Sequence, residues 1–257
     1  MKSKTYYYKS YQDDFAVTKD LKQDLIGDDY KYDTNNIFFK MYSYILYYFI
    51  VKPLAYIILK IRFGFKIKNK KILNECKNKG YFIYGNHTNY LPDAFIPNLL
   101  RHNKCYIIVG GQTVSIKGLK TTVKALGALP LGDTLKAKKN LLKYIKKSIN
   151  KNQSIMIYPE AHIWPYYTSI RSFSESNMKY PVLLNCPSYS LSYCYSKRKI
   201  IKRPKLTVYV DGPFYPESNL SPKEREIKLY QNIYDTIKTR TDNNSTYSVN
   251  KYVEITE

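Results

Sequence analysis

The chain has 257 residues, long enough for one large α/β domain with a buried core and with no need for a second. Lysine and arginine number 42 against 20 acidic residues, a formal charge of +22, which directs the protein toward something anionic: phospholipid, nucleic acid or an acidic carrier. The four cysteines, Cys76, Cys105, Cys186 and Cys194, contain no CxxC pair, which argues against a zinc ribbon or a dense disulfide framework and fits a reducing, cytosol-facing location. The abundance of Lys, Asn, Ile and Tyr matches an AT-rich coding bias, so no single Tyr or Lys counts as a functional signal.

In chain order, residues 1–36 form a polar, Tyr-rich arm with no sustained period. The arm has no apolar core followed by small residues, so no secretory signal is expected, and no function is assigned to it. Residues 37–67 are almost wholly apolar and aromatic, with Lys40, Lys52, Lys60 and Arg62 spaced through them and Pro53 dividing them into two helical pieces. Because Lys52 and Pro53 interrupt the run, the expected form is a bent pair of helices lying in a membrane interface, with Tyr rings and snorkelling Lys at headgroup level. A true span and a buried core hairpin are the alternatives.

From residue 68 to 241 short β-rich runs alternate with helical stretches, which predicts an α/β domain with a mainly parallel sheet flanked by helices. Strands are expected at residues 81–85, 105–111, 154–159 and 205–212. Leu135, Leu142, Ile145 and Ile149 recur at helical spacing opposite Lys136, Lys138, Lys139, Lys143, Lys146 and Lys147, giving an amphipathic helix with a basic face. A last helix is announced by Ser221-Pro222-Lys223-Glu224, a capping box with Pro in the first turn. Residues 242–257 read as a polar tail that frays after Thr241.

Among the three histidines, His87 and His162 follow predicted strands, where α/β folds place chemistry. His87 lies in "YGNHTNYLPDAF". In a continuous helix Asp93, six positions on, would be turned away by roughly 240°; a loop folding back at a helix start instead lets Asp93 accept the Nδ1 proton and leaves Nε2 free as a base. Such a pair has an orienter but no enzyme nucleophile, so a substrate hydroxyl must attack. On the residues alone, a purely structural His–Asp contact stays open.

At this point the sequence resembles the glycerolipid acyltransferase family, which includes the acylglycerol-phosphate acyltransferases. The family's first motif is Asn-His, four residues, Asp; "NHTNYLPD" begins with Asn86-His87 and places five residues before Asp93. The third motif, Phe-Pro-Glu-Gly-Thr-Arg-Ser, corresponds to Tyr158-Pro159-Glu160, followed by "AHIWPYYTSIRSF". The second motif corresponds to "LGALPLGDTLKAKK" without its Arg, and Lys136 or Lys138 are its available charges. "YPVLLNCP" stands for a fourth strand motif beginning at Pro181-Val182. The resemblance implies His87 and Asp93 as catalytic residues and Glu160 as acceptor-binding. Arg171 is the candidate substitute for the missing motif arginines, reading an anionic group on the acceptor.

The activity implied is transfer of a fatty acyl group to a hydroxyl of a glycerolipid such as lysophosphatidate, or of a non-phosphorylated acceptor, on the cytoplasmic face of a membrane. The implied partners are an anionic membrane surface, a lipid acceptor and an activated donor: acyl-CoA, acyl phosphate or acyl carrier protein. No metal and no other cofactor is expected. His162 is a loop histidine or part of the acceptor pocket. A nucleic-acid-binding protein is the rival from another class, set aside because the aromatics concentrate in the apolar leader rather than among basic residues. A metal-dependent hydrolase built on His87, Asp93, Glu160 and His162 is the other, and its spacing matches no closed metal motif.

Overall fold

The computed structural model describes residues 3–15 and 24–255. The chain opens with strand β1 (Thr5–Tyr8), then enters α1 (Ile37–Ile45), a π-helical turn at Leu46–Val51 and α2 (Lys52–Phe63). These three pieces form one continuous helical run, Ile37–Phe63, long and apolar enough to cross a membrane by length and composition. Pro53 therefore does not split the leader into two helices. Its missing N–H leaves a carbonyl of the preceding turn without a donor, and the π turn absorbs the defect: the Lys52 amide reaches back to Tyr47 O. Only 17% of the most apolar stretch is buried.

One side of the run packs on the domain through Tyr47, Ala55, Leu59 and Phe63. The other exposes an apolar row that includes Phe38, Met41, Ile45, Phe49, Leu54, Ile57 and Ile61.

The domain continues with β2 (Lys66–Lys68), β3 (Tyr81–Gly85), α3 (Tyr90–Leu99), β4 (Cys105–Val109), α4 (Gly111–Val114), α5 (Lys120–Ala125) and β5 (Ala128–Pro130). It proceeds through α6 (Leu135–Ile149), β6 (Ser154–Ile157), α7 (Lys179–Leu184), β7 (Ser188–Ser196), β8 (Lys205–Phe214), α8 (Pro222–Asn244) and β9 (Lys251–Glu254). Seven of these strands form one sheet in the order β2-β8-β7-β3-β6-β4-β5, in which only the β7–β8 pair is antiparallel. The expected α/β class and mainly parallel sheet are what the structure has.

Helices cover both faces of the sheet, so its central strands carry apolar side chains in both directions. Tyr81 and Ile83 point into a core built with Leu59 and Phe63 of α2 and Ile96 of α3. Phe82 and Tyr84 point into the opposite core with Leu141 and Ile145 of α6 and Leu229, Ile233 and Ile237 of α8. Each such side chain removed from water contributes about 1.5–3 kcal/mol, enough to fix which face is which.

Three local expectations are corrected. "YPVLLNCP" does not begin a strand: Pro181 and Val182 lie in α7, and the strand starts at Ser188. In α6 the buried stripe runs through Ala137, Leu141, Ile145 and Ile149, while Leu135, the first residue of the helix, lies off that stripe and is exposed. The tail does not fray, since α8 continues to Asn244 and β9 then pairs in parallel with β1, with Thr5 opposite Lys251 and Tyr8 opposite Glu254. The capping box at Ser221 and Glu224 forms as read, with Ser221 Oγ accepting from the Glu224 amide.

Candidate active site

The register of the two central strands decides what meets at the top of the sheet. Tyr84 lies opposite Ile157, so three residues further on His87 falls beside Glu160. Gly85 has room for no Cβ: one built there would meet Leu191 O and Met156 Cε at 2.8 Å, so the chain passes this point only as glycine. Asn86 then anchors the turn to β7, accepting from the Tyr193 amide at 2.8 Å and donating to Tyr193 O at 3.2 Å.

The backbone next folds into the start of α3. Asn89 caps the helix, accepting from the Leu91 amide at 3.3 Å, and Pro92 occupies the first turn, where its missing donor costs nothing. This cap brings Asp93 back over the loop. Its Oδ2 receives the amides of Thr88 and Asn89, each at 2.8 Å, and His87 Nδ1 lies 2.8 Å from the same oxygen. The five-residue spacing is thus compatible with a direct His–carboxylate bond, because the extra residue is taken up by the cap.

Asp93 is buried at 1% exposure, whereas the His87 side chain keeps 17%. Burial pushes the Asp93 carboxyl above its ordinary value, and the His87 ring and the two amides act in the opposite direction. His87 stacks on Tyr158, with ring centroids 4.4 Å apart. The Tyr158 hydroxyl donates to Asp93 O at 2.7 Å and meets the Tyr193 hydroxyl at 2.7 Å, while Thr88 Oγ1 meets the Tyr195 hydroxyl at 2.8 Å. Reading single tyrosines as coding bias missed these three. The signal available for two of them was the alternation in "SYSLSYCYS", which puts Tyr189, Leu191, Tyr193 and Tyr195 on one face of β7.

Glu160 closes the other side. Its Oε2 accepts the His87 amide at 2.5 Å and its Oε1 accepts the Arg171 amide at 2.6 Å. Arg171 Nε stands 3.4 Å from Oε1, both side chains being 1% exposed. Burial pushes the Glu160 carboxyl up and the Arg171 charge opposes it.

The Arg171 side chain is buried and turned toward the arm. Its guanidinium donates to Tyr11 O at 2.8 Å and to His162 O, and stacks over Trp164 with the ring centroid 4.8 Å away. Glu160 likewise lies beside His87 but spends both oxygens on backbone amides, not on an open pocket. Nothing in the sequence says that an arginine so near a carboxylate will be turned inward, since that depends on where Tyr11 and Trp164 arrive.

Residues 161–170 form an irregular loop bonded to the His87 turn, the Trp164 amide donating to His87 O at 3.1 Å and the Tyr166 amide to Thr88 O at 2.8 Å. Trp164, fully buried, is enclosed by Tyr8, Tyr11 and Phe15 of the arm and stacks on Tyr252 of β9 at 4.9 Å. Its indole donates to Asp13 O at 2.8 Å. His162 Nδ1 is 3.5 Å from Asp14 Oδ2, so it pairs with the arm. Among the described residues no group of three or more His, Cys, Asp or Glu gathers as a metal site.

The family model Acyltransferase matches residues 64–193, half of the chain, a range that includes His87, Asp93, Glu160 and Arg171. The fold is similar to the crystal structure of the 1-acyl-sn-glycerophosphate (LPA) acyltransferase PlsC from Thermotoga maritima. That likeness has a TM-score of 0.56 and 13% identity, covering 79% of this chain and 87% of that one. No curated protein matches the chain.

Proposed function

This chain belongs to the acyltransferase family, and from that premise we propose that it moves a fatty acyl group from an activated donor to a hydroxyl of a glycerolipid acceptor at a membrane surface, with His87 as general base. The observation that carries the reading is the 2.8 Å contact between His87 Nδ1 and Asp93 Oδ2. With the Nδ1 proton donated to a carboxylate that two backbone amides hold still, the Nε2 lone pair is free to take a proton. The acceptor oxygen loses its proton to Nε2 as it bonds to the acyl carbonyl carbon. The tetrahedral intermediate collapses, the bond to the donor's leaving group breaks, and the Nε2 proton passes to that group.

Glu160 and Arg171 act as a positioning pair in this scheme: Glu160 fixes the backbone of His87, and Arg171 ties Glu160 to the arm. In this proposal Arg62 and Arg203 are the cations available to an anionic acceptor: burial raises the pKa of the Tyr166 hydroxyl, and these two charges, after the Asn89 side chain, oppose the rise. A glycerolipid acceptor is also supported by the likeness to an enzyme named for acylating 1-acyl-sn-glycerophosphate.

Membrane association rests on the exposed apolar row of the Ile37–Phe63 run. Because the opposite side of that run packs along the domain, a helix lying in the cytoplasmic interface fits better than one crossing it.

The test is to incubate the purified chain in anionic vesicles with acyl-CoA, acyl carrier protein and acyl phosphate donors, and to identify acyl esters of lysophosphatidate and of a neutral monoacylglycerol by mass spectrometry. His87→Ala is expected to lower turnover by about 10²–10⁴-fold while the protein stays folded. Near wild-type turnover in His87→Ala would overturn the mechanism.

A further inference from the structure

At the opposite end of the sheet from His87 lies a cavity of about 310 Å³ that the catalytic scheme leaves unused. Gln153, at its edge, immediately precedes β6, and Ser154 is level with Tyr81 in the register. His87 is seven residues beyond Gly80 along the strand direction, so at about 3.3 Å per residue the cavity and the base are roughly 20 Å apart. One wall is α1 with the π turn, through Ser43, Tyr44 and Tyr48. The others come from the start of β4, from α6 and from the segment around Tyr32.

Five lysines line it, Lys40, Lys104, Lys124, Lys147 and Lys151, with Asp33 as the acidic residue among the lining groups. Lys147 pairs with that carboxylate. Lys104 is the most enclosed of the five: its ammonium donates to Ser43 Oγ at 2.8 Å and to Ala125 O at 2.6 Å, both neutral acceptors, and lies 5.3 Å from the Tyr106 ring. Burial pulls its pKa down to about 8. A cavity with net positive walls, aromatic sides and an enclosed ammonium suits an oxyanion.

The position of the cavity says where the oxyanion comes from. Lys40, Ser43 and Tyr44 share α1 with the uncovered apolar residues Ile37, Phe38, Met41 and Ile45. A membrane that receives those side chains brings its phosphates to the cavity mouth, and a lipid can leave its chains in the bilayer while its headgroup enters.

We propose that this cavity binds the phosphate of an anionic glycerophospholipid headgroup, as a regulatory or anchoring site separate from the acceptor site. The inference rests on the membrane reading of the α1–α2 run and not on the chemistry at His87.

The test uses flotation of the full chain with vesicles of phosphatidylcholine alone and with added phosphatidylglycerol. Wild type is expected to prefer the anionic vesicles by at least about 30-fold, and Lys104→Gln with Lys151→Ala to lose about 30-fold of that preference, since each lysine near such a surface is worth about 1 kcal/mol. Binding to phosphatidylcholine alone should be unchanged. Lys40→Ala with Lys151→Ala repeats the test on exposed positions should the Lys104 change impair folding. Lys138→Ala with Lys139→Ala, on the exposed face of α6, removes the same charge outside the cavity and should cost less than threefold.

Equal losses in the cavity and control variants would overturn the site in favour of diffuse attraction. Binding of inorganic phosphate by titration calorimetry, abolished in the cavity variant while its vesicle preference stays intact, would assign the site to free phosphate and overturn the lipid assignment. Wild type that floats equally with both vesicles would sink the proposal and leave the membrane reading standing; wild type that floats with neither would sink both.

Discussion

The loop after β3 and the loop after β6 meet at His87, yet different parts of the chain hold them. The His87 turn is organised mainly from within: Thr88, Asn89 and Asp93 supply its bonds inside seven residues. The 161–170 loop has a few local bonds, such as the Tyr167 amide to Trp164 O at 3.0 Å, and relies more on distant partners. Besides its bonds to the His87 turn, it is held by Tyr11, Asp13, Asn250 and Tyr252, which donate to or accept from Arg171, Trp164 and Pro165 across the whole length of the chain. The His87–Asp93 pair is therefore set largely by local geometry, while the wall beside it depends on both ends of the protein.

The largest expected effect breaks the second loop. Arg171→Ala leaves the buried Glu160 carboxylate without its cation and removes the tie to the arm, which should cost about 3–5 kcal/mol and lower the melting temperature by about 10 °C. Activity should fall alike on phosphorylated and neutral acceptors, measured as kcat. A selective rise in KM for phosphorylated acceptors with unchanged melting would instead return Arg171 to an acceptor-reading role.

Asp93→Asn probes the first loop with a smaller change. The remaining amide oxygen can still accept from Thr88 and Asn89, so the fold should persist while the orienting charge is lost. Turnover is expected to fall by about 10²–10³-fold, with circular dichroism unchanged. A variant with intact activity would show that the base works without its carboxylate.

Tyr252→Phe removes one bond, from its hydroxyl to Pro165 O at 2.7 Å, and tests the contribution of the C-terminal strand. About 1 kcal/mol of stability should be lost, read by chemical denaturation. The smallest effect concerns Ala161, which holds φ of 64° at the position the family fills with glycine. Ala161→Gly relieves about 1 kcal/mol of backbone strain and raises the entropy of the unfolded chain by a similar amount, so stability should change by less than about 1 kcal/mol. A loss of several degrees in melting would mean that the methyl group packs usefully in the loop.

Sequence alone determined what depends on neighbours in the chain. The continuous apolar run from Tyr81 predicted a buried strand. Ser221 and Glu224 predicted a helix start, and the Asn-His turn followed by Pro92 and Asp93 predicted a contact between His87 and Asp93. Each of these is a local pattern whose physical cause lies within a few residues.

What tertiary structure decided is what depends on partners far along the chain. Whether "YPVLLNCP" became helix or strand turned on how α7 packs, because short apolar runs satisfy either period. Tyr193 and Tyr195 reached the site only because β7 pairs with β3 in a particular register. Arg171 turned inward because the Tyr11 carbonyl and the Trp164 ring were there to receive it. A polar arm and a polar tail look unstructured when read singly; paired as β1 and β9, they satisfy each other's backbone and enclose a tryptophan that neither could bury alone.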